Sequence, residues 1–128
     1  MLGNYPAAAT IATADLARAR TFYEESLGLK VDMEDPGGIL YVSGESRVLL
    51  YPSQFAGPSK VTVVSWMVDD LDRVVGELSA KGITFEQYDF PGLKTDERGI
   101  ADAGNVKGAW FKDPDGNILN VGQQTPTS

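Results

Sequence analysis

The chain of 128 residues contains no cysteine and no histidine. Without cysteine there is no disulfide, no thiolate nucleophile and no zinc–thiolate site. The lack of histidine is the heavier restriction. It removes imidazole metal ligands, Ser-His-Asp triads and the usual general base at neutral pH. Any metal would need an all-oxygen site, which suits calcium or magnesium better than zinc, nickel or iron. No loop of regularly spaced carboxylates supplies one. Positive charge is also scarce, with 11 Lys and Arg against 18 Asp and Glu, a net charge of -7. That balance argues against nucleic acid and against anionic membrane surfaces as partners. There is no block of like charges, no apolar stretch long enough to span a bilayer, and no basic N-terminal region followed by an apolar one. A cytoplasmic location is expected. Hydrophobic residues make up 42% and charged residues 23%, so the composition is that of a globular protein with one real core.

What is present reads as two similar halves. Ala7–Thr13 opens the first as a short strand. Asp15 is placed to cap a helix starting at Leu16, with Leu16, Ala19, Phe22, Tyr23 and Leu27 on one face at helical spacing and Gly28 as the stop. Strands are expected at Leu29–Met33, Ile39–Ser43 and Arg47–Tyr51, the last two joined by a tight turn at Gly44-Glu45. The second half repeats the order. Lys60–Val68 is its first strand, Asp70 its cap, Leu71, Val74, Val75 and Leu78 its apolar stripe, and Gly82 its stop. Asp15-Leu16 and Asp70-Leu71 are offset by about 55 residues, a period at which internal repeats are sought. Ile83–Tyr88 is expected as a strand, and Phe90–Gly104 as a long irregular loop of the kind that forms lids, binding loops or plain surface excursions. Lys107–Lys112 and Ile118–Gly122 are the final strands, joined by the turn signature Asp113-Pro114-Asp115-Gly116. Gln124–Ser128 reads as a frayed tail. On the helices, Arg18, Arg20, Glu24 and Glu25 read as a solvated face, as do Arg73, Glu77 and Lys81.

Three motifs, Ala14-Asp15-Leu16 through Leu27-Gly28-Leu29, Val68-Asp69-Asp70-Leu71, and Phe111 through Asn117, give the chain its resemblance to the vicinal oxygen chelate superfamily. That group includes glyoxalase I, extradiol dioxygenases, fosfomycin-resistance enzymes and bleomycin-resistance proteins. The resemblance implies an α+β fold of two βαβββ modules, here approximately residues 5–56 and 59–124 of one domain spanning 1–128. In the family these modules form a U-shaped, partly open cleft of mixed sheet with flanking helices. It also implies metal-ligand positions on cleft-facing strands. Carried over by motif, they fall at Ala8, Val63 and Asn120, with a fourth used by some members at Tyr51. None is His, Glu or Asp, so no metal and no cofactor is expected, and the metal-dependent activities of the family are not expected either.

Strand alternation then gives the lining of the implied cleft. Val63 shares its face with Ser65 and Met67, while Trp66 turns to the core. Asn120 shares its face with Ile118 and Gly122. Trp110 stands where the family often places a cleft aromatic, and Gly108 leaves room beside it. Thr10, Tyr51 and Phe90 complete the candidate ligand-binding set. Apolar and aromatic groups with a few neutral polar ones suit a small planar or partly apolar molecule. The alternative is that these side chains simply fill the space.

Three functions compete, one of them a regulatory or interaction module with a vestigial cleft. The first is a metal-independent protein that binds a small organic molecule, similar to the bleomycin-resistance branch, which sequesters a drug at a dimer interface. A homodimer is then the expected assembly. The second is a metal-independent lyase or isomerase that uses the loop carboxylates Asp96 and Glu97, with Lys94 or Arg98 holding an anion.

Overall fold

A computed structural model describes residues Met1–Gln124. The fold is α+β, with two compact units. The first unit holds residues 1–59 and the turn Asp113–Asn117, and the second holds 60–112 and the strand that begins at Ile118.

In the first unit, a 3-10 turn at Leu2–Asn4 precedes β1 (Ala8–Thr13). The Asp15 carboxylate then accepts from the Arg18 backbone N–H and starts α1 (Leu16–Thr21). The helix widens into a π turn at Phe22–Ser26 and stops before Gly28, whose φ is 77°. Strands β2 (Lys30–Asp35), β3 (Gly38–Ser43) and β4 (Ser46–Pro52) follow. The sheet order is β1-β4-β3-β2, with β1 parallel to β4 and the other pairs antiparallel. Alternation buries Ile11, Ile39, Tyr41, Val48 and Leu50 with Ala19 and Tyr23 of the helix.

The second unit has the same plan. β5 (Thr62–Met67) leads to α2 (Leu71–Ala80), which Asp70 caps by accepting from the Arg73 N–H. Gly82, with φ 92°, follows the helix. A short ribbon of β6 (Asp89–Phe90) and β7 (Leu93–Lys94) comes next, then β8 (Ile100–Asp102), β9 (Val106–Lys112) and β10 (Ile118–Gln124). The sheet order β5-β10-β9-β8 matches that of the first unit, again with one parallel pair, β5 and β10. Leu71, Val75, Phe85, Ile100, Ala109, Phe111, Leu119 and Val121 form its core. Trp66 is in register with Val121, on the core side of the sheet, and is half-buried.

The structure corrects four expectations. Ile83–Tyr88 is not a strand. Its backbone meets β9 at a bridge from Phe85 to Phe111 and at the Glu86 N–H to Trp110 carbonyl bond. The strand that fills the sheet position beside β9 is β8, inside the segment expected to be irregular. Phe90–Gly104 is accordingly not a featureless loop, since it carries β7, β8 and half of β6. Gln124 pairs with Val106 rather than fraying; the remainder of that expected tail lies outside the described residues. Finally, the α1 charges are not merely solvated. Arg20 bridges Glu24 and Glu34, Glu24 accepts from the Tyr41 hydroxyl at 2.8 Å, and Arg18 reaches Asp115 at 3.2 Å.

That last contact belongs to a buried polar knot within the first unit. Asp113 accepts from the Tyr23 hydroxyl at 2.6 Å, from Asn117 Nδ2 at 2.8 Å, and from the N–H groups of Asp115 and Asn117. Asp115 accepts from Thr13 Oγ1 at 2.6 Å, from the Ala14 N–H at 2.8 Å and from Arg18. Asn117 donates to the Ala12 carbonyl. Two buried carboxylates are thus compensated by donors on every side, as burial of charge demands. Burial, then the Asp113 charge beside it, pushes the Tyr23 phenol far above its ordinary value.

Candidate functional site

The open face of the second sheet carries most of the candidate residues. Strand register sets them in rows. Ser65, Asn120 and Trp110 form one row across β5, β10 and β9. Met67, Gly122 and Gly108 form the next. Ile118 lies two residues before Asn120, in register with Lys112 and Thr62 and largely buried. Val63 sits at an irregularity in the β5–β10 register, between Thr62 opposite Ile118 and Val64 opposite Leu119.

The paired glycines are the reason this face has relief. A Cβ on Gly108 would come within 3.2 Å of Asn120 Nδ2 and 3.3 Å of the Trp110 ring. A Cβ on Gly122 would meet Met67 Sδ at 3.4 Å and Asn120 Oδ1 at 3.6 Å. The neighbouring side chains therefore lean over a strip of bare backbone. Around it the aromatics are coupled. Tyr88 meets Trp110 edge to face at 5.7 Å and stacks on Phe90 at 5.7 Å. Burial, then the nearby Glu86, raises the Tyr88 phenol above its ordinary value. Met67 is 62% exposed and Phe90 58% exposed, so apolar surface lies open at this face.

Eight of the ten predicted residues thus belong to the second unit: Val63, Ser65, Met67, Phe90, Gly108, Trp110, Ile118 and Asn120. The other two, Thr10 and Tyr51, lie in the first unit, in register with Leu49 and Ala12. Both point away from the core side occupied by Ile11 and Leu50. Tyr88 was not among the predicted residues. Its place beside Trp110 depends on the path of 83–90, which follows no regular strand and so has no alternation that reports a face.

Two grooves of the second unit lie elsewhere. One, of about 390 Å³, is lined by Asp72, Lys94, Thr95, Asp96, Ile100, Asp102 and Lys107. The other, of about 490 Å³, runs along α2 between Val75, Gly76 and Ser79 on one side and Phe85, Gln87, Glu97 and Arg98 on the other. Of the two loop carboxylates considered for catalysis, Asp96 and Glu97, Asp96 is committed to the backbone. Asp96 accepts from the Arg98 and Ile100 N–H groups at 2.8 and 3.0 Å. Arg98 pairs with Asp72 at 2.9 Å.

Residues 6–121 match the family model described as the Glyoxalase/Bleomycin resistance protein/Dioxygenase superfamily. The chain belongs to this superfamily. No curated protein matches it significantly. Among solved structures, a glyoxalase family protein from Enterococcus faecalis is similar at TM-score 0.72 and 22% identity, covering 95% of this chain and 99% of that one. A genomically encoded fosfomycin resistance protein from Listeria monocytogenes is similar at TM-score 0.71 and 10% identity, covering 94% and 93%. Lactoylglutathione lyase from Agrobacterium tumefaciens is similar at TM-score 0.64 and 21% identity, covering 89% of each chain. At these identities the likeness concerns the fold.

Membership of the glyoxalase superfamily raises the question of a metal. Of the matched positions, Ala8 and Val63 have no donor atom, Tyr51 offers a phenol and Asn120 a neutral amide. Asn120 also spends its Nδ2 on the Ala109 carbonyl at 3.2 Å. Among the described residues no group of three or more Asp and Glu is arranged to hold a metal ion. These residues do not fit a divalent cation, which wants several anionic or imidazole ligands.

Proposed function

We propose that this superfamily member binds a small, planar or partly apolar organic molecule without a metal or cofactor, on the sheet face beside Trp110. The observation that carries the reading is the strip at Gly108 and Gly122. Bare backbone is flanked by Trp110 and Met67, Tyr88 and Phe90 continue the aromatic wall from Trp110, and Ser65 and Asn120 add neutral polar groups. Apolar walls with a few placed polar groups are how small-molecule sites are built. Holding a molecule there without converting it amounts to sequestration, as in the drug-binding branch of the family. The assembly proposed with it is a homodimer. The competing reading, catalysis by loop carboxylates, is weakened by the commitment of Asp96 to two backbone N–H groups.

The test is titration calorimetry of the purified protein against cationic glycopeptides and planar aromatics. Binding by at least one class is expected, weakened tenfold or more in Trp110→Ala. A panel that shows no binding at all would overturn the proposal.

A further inference from the structure

The row Ser65–Asn120–Trp110 holds polar groups with different amounts of freedom. Asn120 is the constrained one. Its amide lies against the Ala109 carbonyl, and a carbonyl can only accept, so the nitrogen must face it and the oxygen must face the other way. Oδ1 is accordingly the amide atom turned toward Gly122, 3.6 Å from where a Cβ would stand. Among the described residues nothing donates to it. The Ser65 hydroxyl, next in the row, is exposed and has no protein partner there either. Gly108 lacks the Cβ that would crowd both the amide and the indole ring. The face therefore presents a hydrogen-bond acceptor of fixed direction, beside an indole plane, above bare backbone.

We infer that Asn120 is the specificity-determining residue of this site, and that its ligand is a planar molecule carrying an N–H or O–H donor at its edge. The inference rests on the ligand-binding reading above and deepens it. An acceptor that a ligand covers without a donor is left desolvated and unpaired, so donor-free analogues are penalised. A carboxylate at the same edge places oxygen lone pairs against the Oδ1 lone pairs and is rejected too. The ammonium or guanidinium edge of a cationic aromatic satisfies the acceptor, and so does a neutral phenol or amide.

The probes are 2-naphthol, 2-methoxynaphthalene and 2-naphthoate, which share a ring system and differ at the edge group. Their affinities are measured by titration against the whole protein and against Asn120→Leu. In the wild-type protein 2-naphthol binds about tenfold more tightly than either of the others, the scale of one such hydrogen bond. In Asn120→Leu that preference collapses, while 2-methoxynaphthalene binds as well as before or better. Equal binding of 2-naphthol and 2-methoxynaphthalene by the wild type would overturn this inference and leave the ligand-binding reading standing. Loss of the preference in Trp110→Phe but not in Asn120→Leu would assign it to the fit against the indole ring and overturn it as well. Failure of all three probes to bind would overturn this inference, and the ligand-binding reading falls with it only when the wider panel of glycopeptides and planar aromatics shows no binding either. If Asn120→Leu does not fold, Asn120→Ser serves, with the preference again expected to shrink.

Discussion

Tyr23 is a buried phenol whose hydroxyl donates to Asp113 at 2.6 Å. Its folded pKa is raised above the ordinary 10.0, chiefly by burial, and that of Tyr41 is raised in the same direction. The unfolded chain releases these protons from about pH 10 upward, whereas the folded chain keeps them. Stability is therefore unaffected below pH 10 and falls above it, by about 1.4 kcal/mol per pH unit for each retained proton. Denaturant unfolding at pH 9 and pH 11 should show a loss that is smaller in Tyr23→Phe by roughly one proton's worth of slope. At neutral pH, Asp115→Ala should cost about 2–4 kcal/mol, because Thr13, the Ala14 N–H and Arg18 all lose their acceptor. The sequence marked Asp113–Gly116 as a turn and left its burial unread. Its partners Thr13 and Tyr23 stand roughly a hundred residues upstream, and no local pattern links them. The row of Ser65, Asn120 and Trp110 was legible because alternation along a strand is local. Tyr88 was not, because its position follows from a path without regular structure.

The two helices show how far local chemistry reaches. Asp15 and Asp70 each accept from the N–H three residues on, at 3.1 Å. Asp→Ala at either site should lower stability by about 1 kcal/mol in chemical denaturation. Caps and the glycines after them were readable from sequence because both act within a single turn. Segment 83–104 was not. Its ribbon strands and β8 are two or three residues long; β6 and β7 pair with each other, and β8 forms because β9 offers it an edge. Gly99 makes the dependence concrete, since a Cβ there would stand 2.6 Å from Phe85 Cβ. Within β9, Gly108→Ala should press on Trp110 and Asn120 and weaken ligand binding more than it lowers Tm. Thermal melts and titrations on the same preparation would reveal that split.

For the whole molecule, the shared strand order of the two units was anticipated by the repeated cap, stripe and stop, and the superfamily by three short motifs. The proposed homodimer predicts a sedimentation mass of twice the 13.8 kDa chain; a monomer at tens of micromolar would remove it. The net charge of -7 predicts that cationic ligands bind less tightly as salt rises from 0.05 to 0.5 M, while neutral ones are little affected. No described helix is long and apolar enough to cross a membrane.

The turn at Asp113–Asn117 has a consequence for biosynthesis. The first 59 residues leave the ribosome lacking the carboxylates that receive Thr13, the Ala14 N–H and Tyr23. Those groups wait for more than fifty further residues, so this unit cannot reach its final state until the segment through Asn117 has been made. A protein stalled or cleaved before residue 113 would leave that unit incomplete and exposed to proteases, and molecules cut short late in translation would be removed rather than accumulate.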